Sequence, residues 1–202
     1  MKIGPKFKIA KRLGAPIFEK TQSQKFTLSE AKQGRTSKRR PGQMSDYKRQ
    51  LIEKQKMRFT YGITEKQLRR YVNEALAKGN QPVISLFSRL EQRLDNVVYR
   101  LGLAKTRQFA RQMVSHGHIV VNGKRMTIPS YKVAINDVVT VREGSKQSGL
   151  FLNFTDTHEM ASVPSWLTMD SKKMQGTSTG VPSYNPAETL FDPEQVFEFY
   201  SR

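Results

Sequence analysis

Cysteine is absent from this chain of 202 residues, which excludes disulfides, thiolate metal sites and cysteine nucleophiles together. Carboxylates are scarce: 17 Asp and Glu face 35 Lys and Arg, a net charge of +18. So strong an imbalance draws a chain to a polyanion. Long apolar runs are lacking too, and none approaches the roughly 18 residues of a membrane span. The N-terminal MKIGPKFKIAKRLG has neither the apolar stretch of a signal peptide nor the Arg-rich character of a transit peptide. The expectation is a soluble, intracellular chain whose partner is nucleic acid and not a membrane. Three histidines, His116, His118 and His158, offer poor metal-ligand spacing, so no metal and no cofactor is expected. Catalytic residues are not expected either, because Asp95, Asp137 and Glu91 are accounted for by caps and turns and the glycines follow no phosphate-loop pattern.

The positive charge is uneven. Residues 1–80 hold 21 Lys and Arg against 6 acids, residues 81–150 hold 11 against 4, and residues 151–202 hold 3 against 7. In residues 1–43, Gly4, Pro5, Gly14, Pro16, Gly34, Pro41 and Gly42 interrupt every possible helix. That stretch reads as a basic arm that orders on phosphates through Lys6, Lys8, Lys11, Arg12, Arg35, Lys38, Arg39 and Arg40.

Residues 44–87 read as a helical RNA-binding domain. From Ser45, the apolar stripe is Tyr47, Leu51, Gln55 and Phe59 at steps of four, with Lys48, Arg49, Lys54, Lys56 and Arg58 on the remaining faces. Thr64 and Gln67 have capping-box spacing, Leu68, Tyr71, Val72, Ala75 and Leu76 share one face, and Gly79 supplies a left-handed stop. Arg69 and Arg70 lie off that face.

Residues 88–144 read as a small ααβ module. Ser88 and Glu91 have the spacing of another capping box, and Leu90, Leu94, Val97, Val98 and Leu101 form one helical stripe, with Arg89, Arg93 and Arg100 on a different face. Lys105 and Thr106 open a second helix that buries Phe109, Ala110, Met113 and Val114 and sets Arg107 and Arg111 one turn apart on the opposite side. Gly117 ends it. His116 and His118, in the bend that follows, read as groups that stack on RNA or cap structure. The β-branched run to Val121, then Asn122-Gly123, then Lys124 and Arg125, is a hairpin with a cationic tip. Tyr131 to Ile135 is expected to form a short strand and Val138 to Val141 a last one. Residues 145–202 are expected to return to the helical domain. Within them, 145–162 carries no assignable element, Trp166-Leu167 belongs in a core, Gly176 to Asn185 reads as a loop, and Asp192-Pro193-Glu194-Gln195 starts a docked helix. The fold class is α+β: a basic N-terminal arm and helical domain, an ααβ module of two helices on an antiparallel sheet, and a tail packing back on the body.

The run RLDNVVYRLGLAKTRQFARQMVSHGHIVVNGKRMTIPSYKV, followed by DVVTVRE, resembles the RNA-binding module named after bacterial small-subunit ribosomal protein four. The likeness continues in Lys54-Gln55-Lys56, Phe59, Tyr61-Gly62, Glu65-Lys66-Gln67, Val163-Pro164-Ser165-Trp166-Leu167 and the terminal Glu198-Phe199-Tyr200-Ser201-Arg202. The resemblance implies a structural constituent of the small ribosomal subunit with no enzymatic activity. It implies a primary binder of 16S rRNA, not of DNA, at a multi-helix junction of the 5′ domain, which nucleates subunit assembly and supports translational accuracy. It also implies contact with ribosomal protein five, a place near the mRNA entry channel, and a cytoplasmic ribosome or an organelle-encoded copy. Many members of that family hold zinc through an N-terminal cysteine cluster; here Ala10 stands in the segment Lys8 to Gly14, which implies the zinc-free form.

Two rivals share the module. An RNA-modifying enzyme would need a catalytic domain that neither flank supplies. A free-standing stress or quality-control binder would need neither the long basic helical domain nor the EFYSR terminus.

Overall fold

A computed structural model describes residues 3–36, 44–79, 81–149, 151 and 163–202. The chain forms two compact units, one of residues 1–86 with 185–202 and one of residues 87–184.

In the first unit the expected helix-free arm is folded. Helix α1 (Lys6–Leu13) begins after Pro5 and ends at Gly14, whose φ of 65° turns the chain left-handed. The residues expected to break helices therefore bound one: proline is tolerated at a helix start and glycine favours its end. A 3-10 turn (Glu19–Gln22) and α2 (Gln24–Thr36) follow. Ala10, Leu13, Ala15, Ile17, Phe18 and Phe26 form one buried cluster, and the Phe7 and Phe26 rings meet edge-on at 5.4 Å. Scattered apolar residues suffice because three short elements share the cluster. Ala10 is wholly buried in it, and the segment offers no thiolate, so these residues do not fit a zinc ion.

Helix α3 (Asp46–Thr60) is capped by Ser45, and Gly62, with φ of 60°, follows its end. Its buried face is Gln50, Lys54 and Met57, while Tyr47 of the expected stripe is exposed. The face is rotated because α9 (Pro193–Tyr200) packs along α3. Phe199 places its ring 4.2 Å from the Lys54 ammonium, and Glu198 accepts from Gln50 Nε2 at 2.8 Å. A lysine stem covers apolar surface as well as a hydrocarbon does, and its charge is attracted to the ring face. Helix α4 (Glu65–Ala77) carries the Thr64–Gln67 capping box and buries Leu68, Tyr71, Val72 and Ala75, whereas Leu76 remains exposed. Asp192 caps α9 by accepting from the Glu194 amide at 2.9 Å.

Helix α5 (Pro82–Glu91) begins in the first unit and ends in the second. The single helix expected across residues 90–101 is instead two, because α6 (Leu94–Arg100) starts anew after Gln92-Arg93. The break is fixed by backbone bonds to a neighbouring loop, Leu94 N to Tyr131 O at 2.9 Å and Val133 N to Gln92 O at 2.9 Å. Ser88 lies inside α5 and donates to the Pro182 carbonyl at 3.2 Å, so it caps nothing. Helix α7 (Arg107–Ser115) is capped by Thr106, which accepts from Phe109 N.

Strands β1 (Ile119–Val121) and β2 (Lys124–Arg125) form the hairpin, with positive φ at both Asn122 and Gly123. Strand β3 (Val138–Val141) pairs with β1. Tyr131 to Ile135 makes no strand and contributes one bridge, Lys132 to Arg93. After the short α8 (Glu143–Lys146), strands β4 (Leu167–Asp170) and β5 (Gln175–Ser178) complete an antiparallel sheet of order β2-β1-β3-β5-β4. Residues 145–202 thus do not return as one piece: β4 and β5 belong to the second unit, and only residues 185–202 join the first. Part of the expected Gly176–Asn185 loop is strand. Gly176 serves close packing there, since a Cβ would lie 2.4 Å from a methyl of buried Leu101. Leu94, Val97, Val98, Leu101, Ala110, Met113 and the inward residues of β1 and β3 form the core with Trp166 and Leu167.

Candidate nucleic-acid interface

In the first unit, Lys8 and Arg12 are exposed on α1, and Lys48 and Arg49 on the first turn of α3, where Arg49 lies 3.9 Å from Asp46. Helix α4 turns Lys66, Arg69, Arg70 and Asn73 outward at offsets of 0, 3, 4 and 7, opposite its buried face. With Glu65 and Glu74 they line an open groove of about 530 Å³. Lys66 and Asn73 were missed by sequence reasoning, although extending the periodicity of α4 to its polar side would have found both.

Other expected cations are occupied within the unit. Lys54 is only 6% exposed. Its ammonium lies 3.0 Å from Glu65 Oε1, and Arg58 lies 3.4 Å from Oε2 while stacking on the Phe59 ring at 4.9 Å. Lys56 pairs with Glu53 at 2.7 Å. Lys11 donates to Ser29 Oγ at 2.8 Å, and Lys6 sits 5.7 Å from the Phe18 ring centre. The backbone of Arg35 lies in α2, and its side chain, like Lys38, Arg39 and Arg40, is outside the described residues.

Glu65 gathers these donors with Tyr200, whose hydroxyl donates to Oε1 at 2.7 Å. Burial raises the carboxyl pKa, but the bonds from Tyr200 and Lys54 and the charges of Lys54 and Arg58 outweigh it, so Glu65 sits below its ordinary 4.5. Tyr200 is pushed up, first by burial and then by the Glu65 carboxylate. The signs follow from linkage. The Glu65 contribution is present above its unfolded pKa and lost as pH falls through the lowered folded value. The Tyr200 contribution is present below its ordinary 10.0 and lost as pH rises through the raised value. The protection factors of the α9 amides, which correct for the slower intrinsic exchange at low pH, are therefore expected to fall below the ordinary carboxyl value of 4.5. Glu65→Gln should remove that acid-side dependence.

In the second unit the expected arginine face is a charge network. Arg93 is 1% exposed and holds Asp95 with two bonds, Nε to Oδ1 at 3.1 Å and Nη2 to Oδ2 at 2.8 Å. It cannot reach RNA from there. Arg111 shares the same carboxylate, Nε to Oδ2 at 2.9 Å. Arg100 reaches Glu91 through Nε and Nη2 at 2.9 and 3.1 Å. Arg107 donates to Asn96 Oδ1 at 2.8 Å and lies 4.4 Å from the Tyr99 ring centre. Buried acceptors thus fix Arg100, Arg107 and Arg111, all partly exposed. Arg89 is partly exposed on α5.

Lys105, just before α7, and Lys124 and Arg125, at the hairpin, are exposed. Arg125 donates to the His116 carbonyl at 3.1 Å and crosses Gly117, where a Cβ would meet it. His118 Nδ1 lies 3.0 Å from Ser145 Oγ, and its ring is 6.2 Å from that of His116. Asn122 is structural: it donates to Asp137 at 2.7 Å and accepts from Val138 N at 2.8 Å. Lys132 and Arg142 are further exposed cations that sequence reasoning did not select. Among the described residues no three His, Asp or Glu side chains are grouped to hold a metal ion, and no helix is long and apolar enough to cross a membrane.

Residues 92–139 match the family model described as S4 domain, and residues 1–94 match that described as Ribosomal protein S4/S9 N-terminal domain. The chain is 43% identical over 203 residues to the small ribosomal subunit protein uS4 of Chromobacterium violaceum, covering 99% of this chain and 98% of that protein. It is 41% identical to the uS4 of a Roseiflexus species and 40% identical to that of Persephonella marina, each alignment covering 98% of both chains.

Proposed function

This chain belongs to the uS4 family of small ribosomal subunit proteins, and from that premise we propose that it is a primary binder of 16S rRNA that nucleates subunit assembly. It is a structural, non-enzymatic constituent of the small subunit that binds rRNA. The finer reading is that it docks on a multi-helix junction of the 5′ domain. There it touches ribosomal protein five, lies near the mRNA entry channel and supports translational accuracy in the cytoplasmic ribosome.

One observation carries this reading: in both units cations stand outward, and several of the carboxylates among them are buried or held by neighbouring elements. Asp95 and Glu91 are buried beneath Arg111 and Arg100, and the carboxylate of Glu65 is held by α3 and α9. Such a surface positions folded RNA by shape and phosphate charge. The residues assigned to RNA are Lys8, Arg12, Lys48, Arg49, Lys66, Arg69 and Arg70 in the first unit, and Arg100, Lys105, Arg107, Arg111, His116, Lys124 and Arg125 in the second. Arginine suits the fixed positions because its planar fork holds a phosphate with two bonds.

Hydroxyl-radical footprinting of the protein on naked 16S rRNA tests the proposal. Protection of 5′-domain nucleotides with no other protein present is the expected result. Protection that arises only after other ribosomal proteins are added would make this a late, protein-dependent binder.

A further inference from the structure

The α4 groove presents an electrostatic problem for an RNA ligand. Lys66, Arg69, Arg70 and Asn73 line it, but so do Glu65 and Glu74. Glu74 lies 3.6 Å from Arg70 Nε. Glu65 stands four residues before Arg69, the spacing and orientation in which a helix surface favours an ion pair. That pair is not made: Arg69 forms no ion pair with any described residue. Glu65 is held by Lys54 and Arg58 of α3 at 3.0 and 3.4 Å and by the Tyr200 hydroxyl of α9 at 2.7 Å, a residue 135 positions away.

Resting on the RNA-binding reading above, we propose that Tyr200 is a positioning residue for the α4 groove, holding the Glu65 carboxylate toward α3 so that Arg69 faces an RNA phosphate. Two features support the role. The α9 ring beside it, Phe199, lies 4.2 Å from the Lys54 ammonium, so α9 supplies Tyr200 and also seats the second donor to Glu65. Arg69 is exposed, lines the groove and follows Glu65 by one helical turn, so its guanidinium is open to a phosphate while that carboxylate is held by other elements. Without the hydroxyl, Glu65 keeps its charge and loses one of its two bonds at Oε1. The i,i+4 pair with Arg69 then competes for it, and one phosphate contact is lost.

The test uses the full chain and a 5′-domain fragment of 16S rRNA, with affinity measured across a salt series. Tyr200→Phe retains the ring and is expected to flatten the slope of log affinity against log salt by roughly 1, the same change as Arg69→Gln. The double variant Tyr200→Phe, Arg69→Gln should be no flatter than either single one. Adding Glu65→Gln to Tyr200→Phe should restore the wild-type slope, although the double variant has lost more of the network. A purely structural role would lower thermal stability in Tyr200→Phe and leave the slope alone, and that result overturns the proposal. If Tyr200→Phe does not fold, Glu65→Gln alone decides: a slope at or above wild type supports the proposal, and one flattened as in Arg69→Gln overturns it. A wild-type protein with no salt-dependent binding would instead remove the RNA-binding reading itself.

Discussion

Asp95→Ala is expected to destabilise the second unit by about 3–5 kcal/mol, the loss seen when one partner of a buried ion pair is removed. The reason lies in Arg93. Its side chain is 2% exposed and that of Asp95 4% exposed, so the carboxylate is what compensates a guanidinium taken out of water. Alanine leaves Arg93 charged and buried, and takes from Arg111 the oxygen that it reaches through Nε and Nη2. It also removes the bond from Asn96 N to Asp95 Oδ1 at 3.0 Å in the first turn of α6. Domains commonly hold about 5–15 kcal/mol in total, so a fall of this size moves the urea midpoint far while leaving the slope m nearly unchanged. Asp95→Asn keeps an acceptor and should lose less. Arg111→Ala should lose less again, because Arg93 still pairs with Asp95. A midpoint for Asp95→Ala within experimental error of wild type would show that the network is not what holds α5, α6 and α7.

That network marks the boundary of what the sequence disclosed. The Asn122-Gly123 hairpin, the Thr64 and Thr106 caps and the Asp192 start of α9 are local chemistry: each needs only residues within three positions of one another, and each stands as expected. The stripe Leu90, Leu94, Val97, Val98 and Leu101 is buried as periodicity requires, although the helix carrying it is interrupted. The interruption comes from a tether to Tyr131, and helical periodicity contains no term for a loop more than thirty residues downstream. Lys54 shows the same limit more sharply. An α3 residue among many lysines reads as a solvated cation until α9 places Phe199 over it and α4 places Glu65 beside it. The α1 segment failed differently. Pro5 and Gly14 read as breakers because spacing does not tell a helix interior from its ends, and eight residues between them proved long enough for one helix.

The same distinction between solvated and internally used cations sets the salt dependence of rRNA binding. Each neutralised phosphate releases counterions, and the slope of log affinity against log salt grows by roughly 0.7–0.9 per contact. With some 6–10 contacts, affinity for the 5′-domain rRNA should fall by about 10³–10⁵ between roughly 50 and 200 mM salt. Net charge alone would also give a steep slope, so the informative comparison is between lysines of equal charge and different burial. Lys48→Gln and Lys124→Gln remove exposed cations that pair with no described residue, and each should flatten the slope by close to one contact with little change in stability. Lys54→Gln removes the same charge from a position 6% exposed. It should lower stability by removing the cation over the Phe199 face and the nearer of the two that hold Glu65, and it should leave the slope at the wild-type value unless α9 undocks. Equal flattening by all three lysine variants would mean that only total charge is read. Flattening by the two exposed ones alone would show that the RNA meets the particular faces on which the fold has set them.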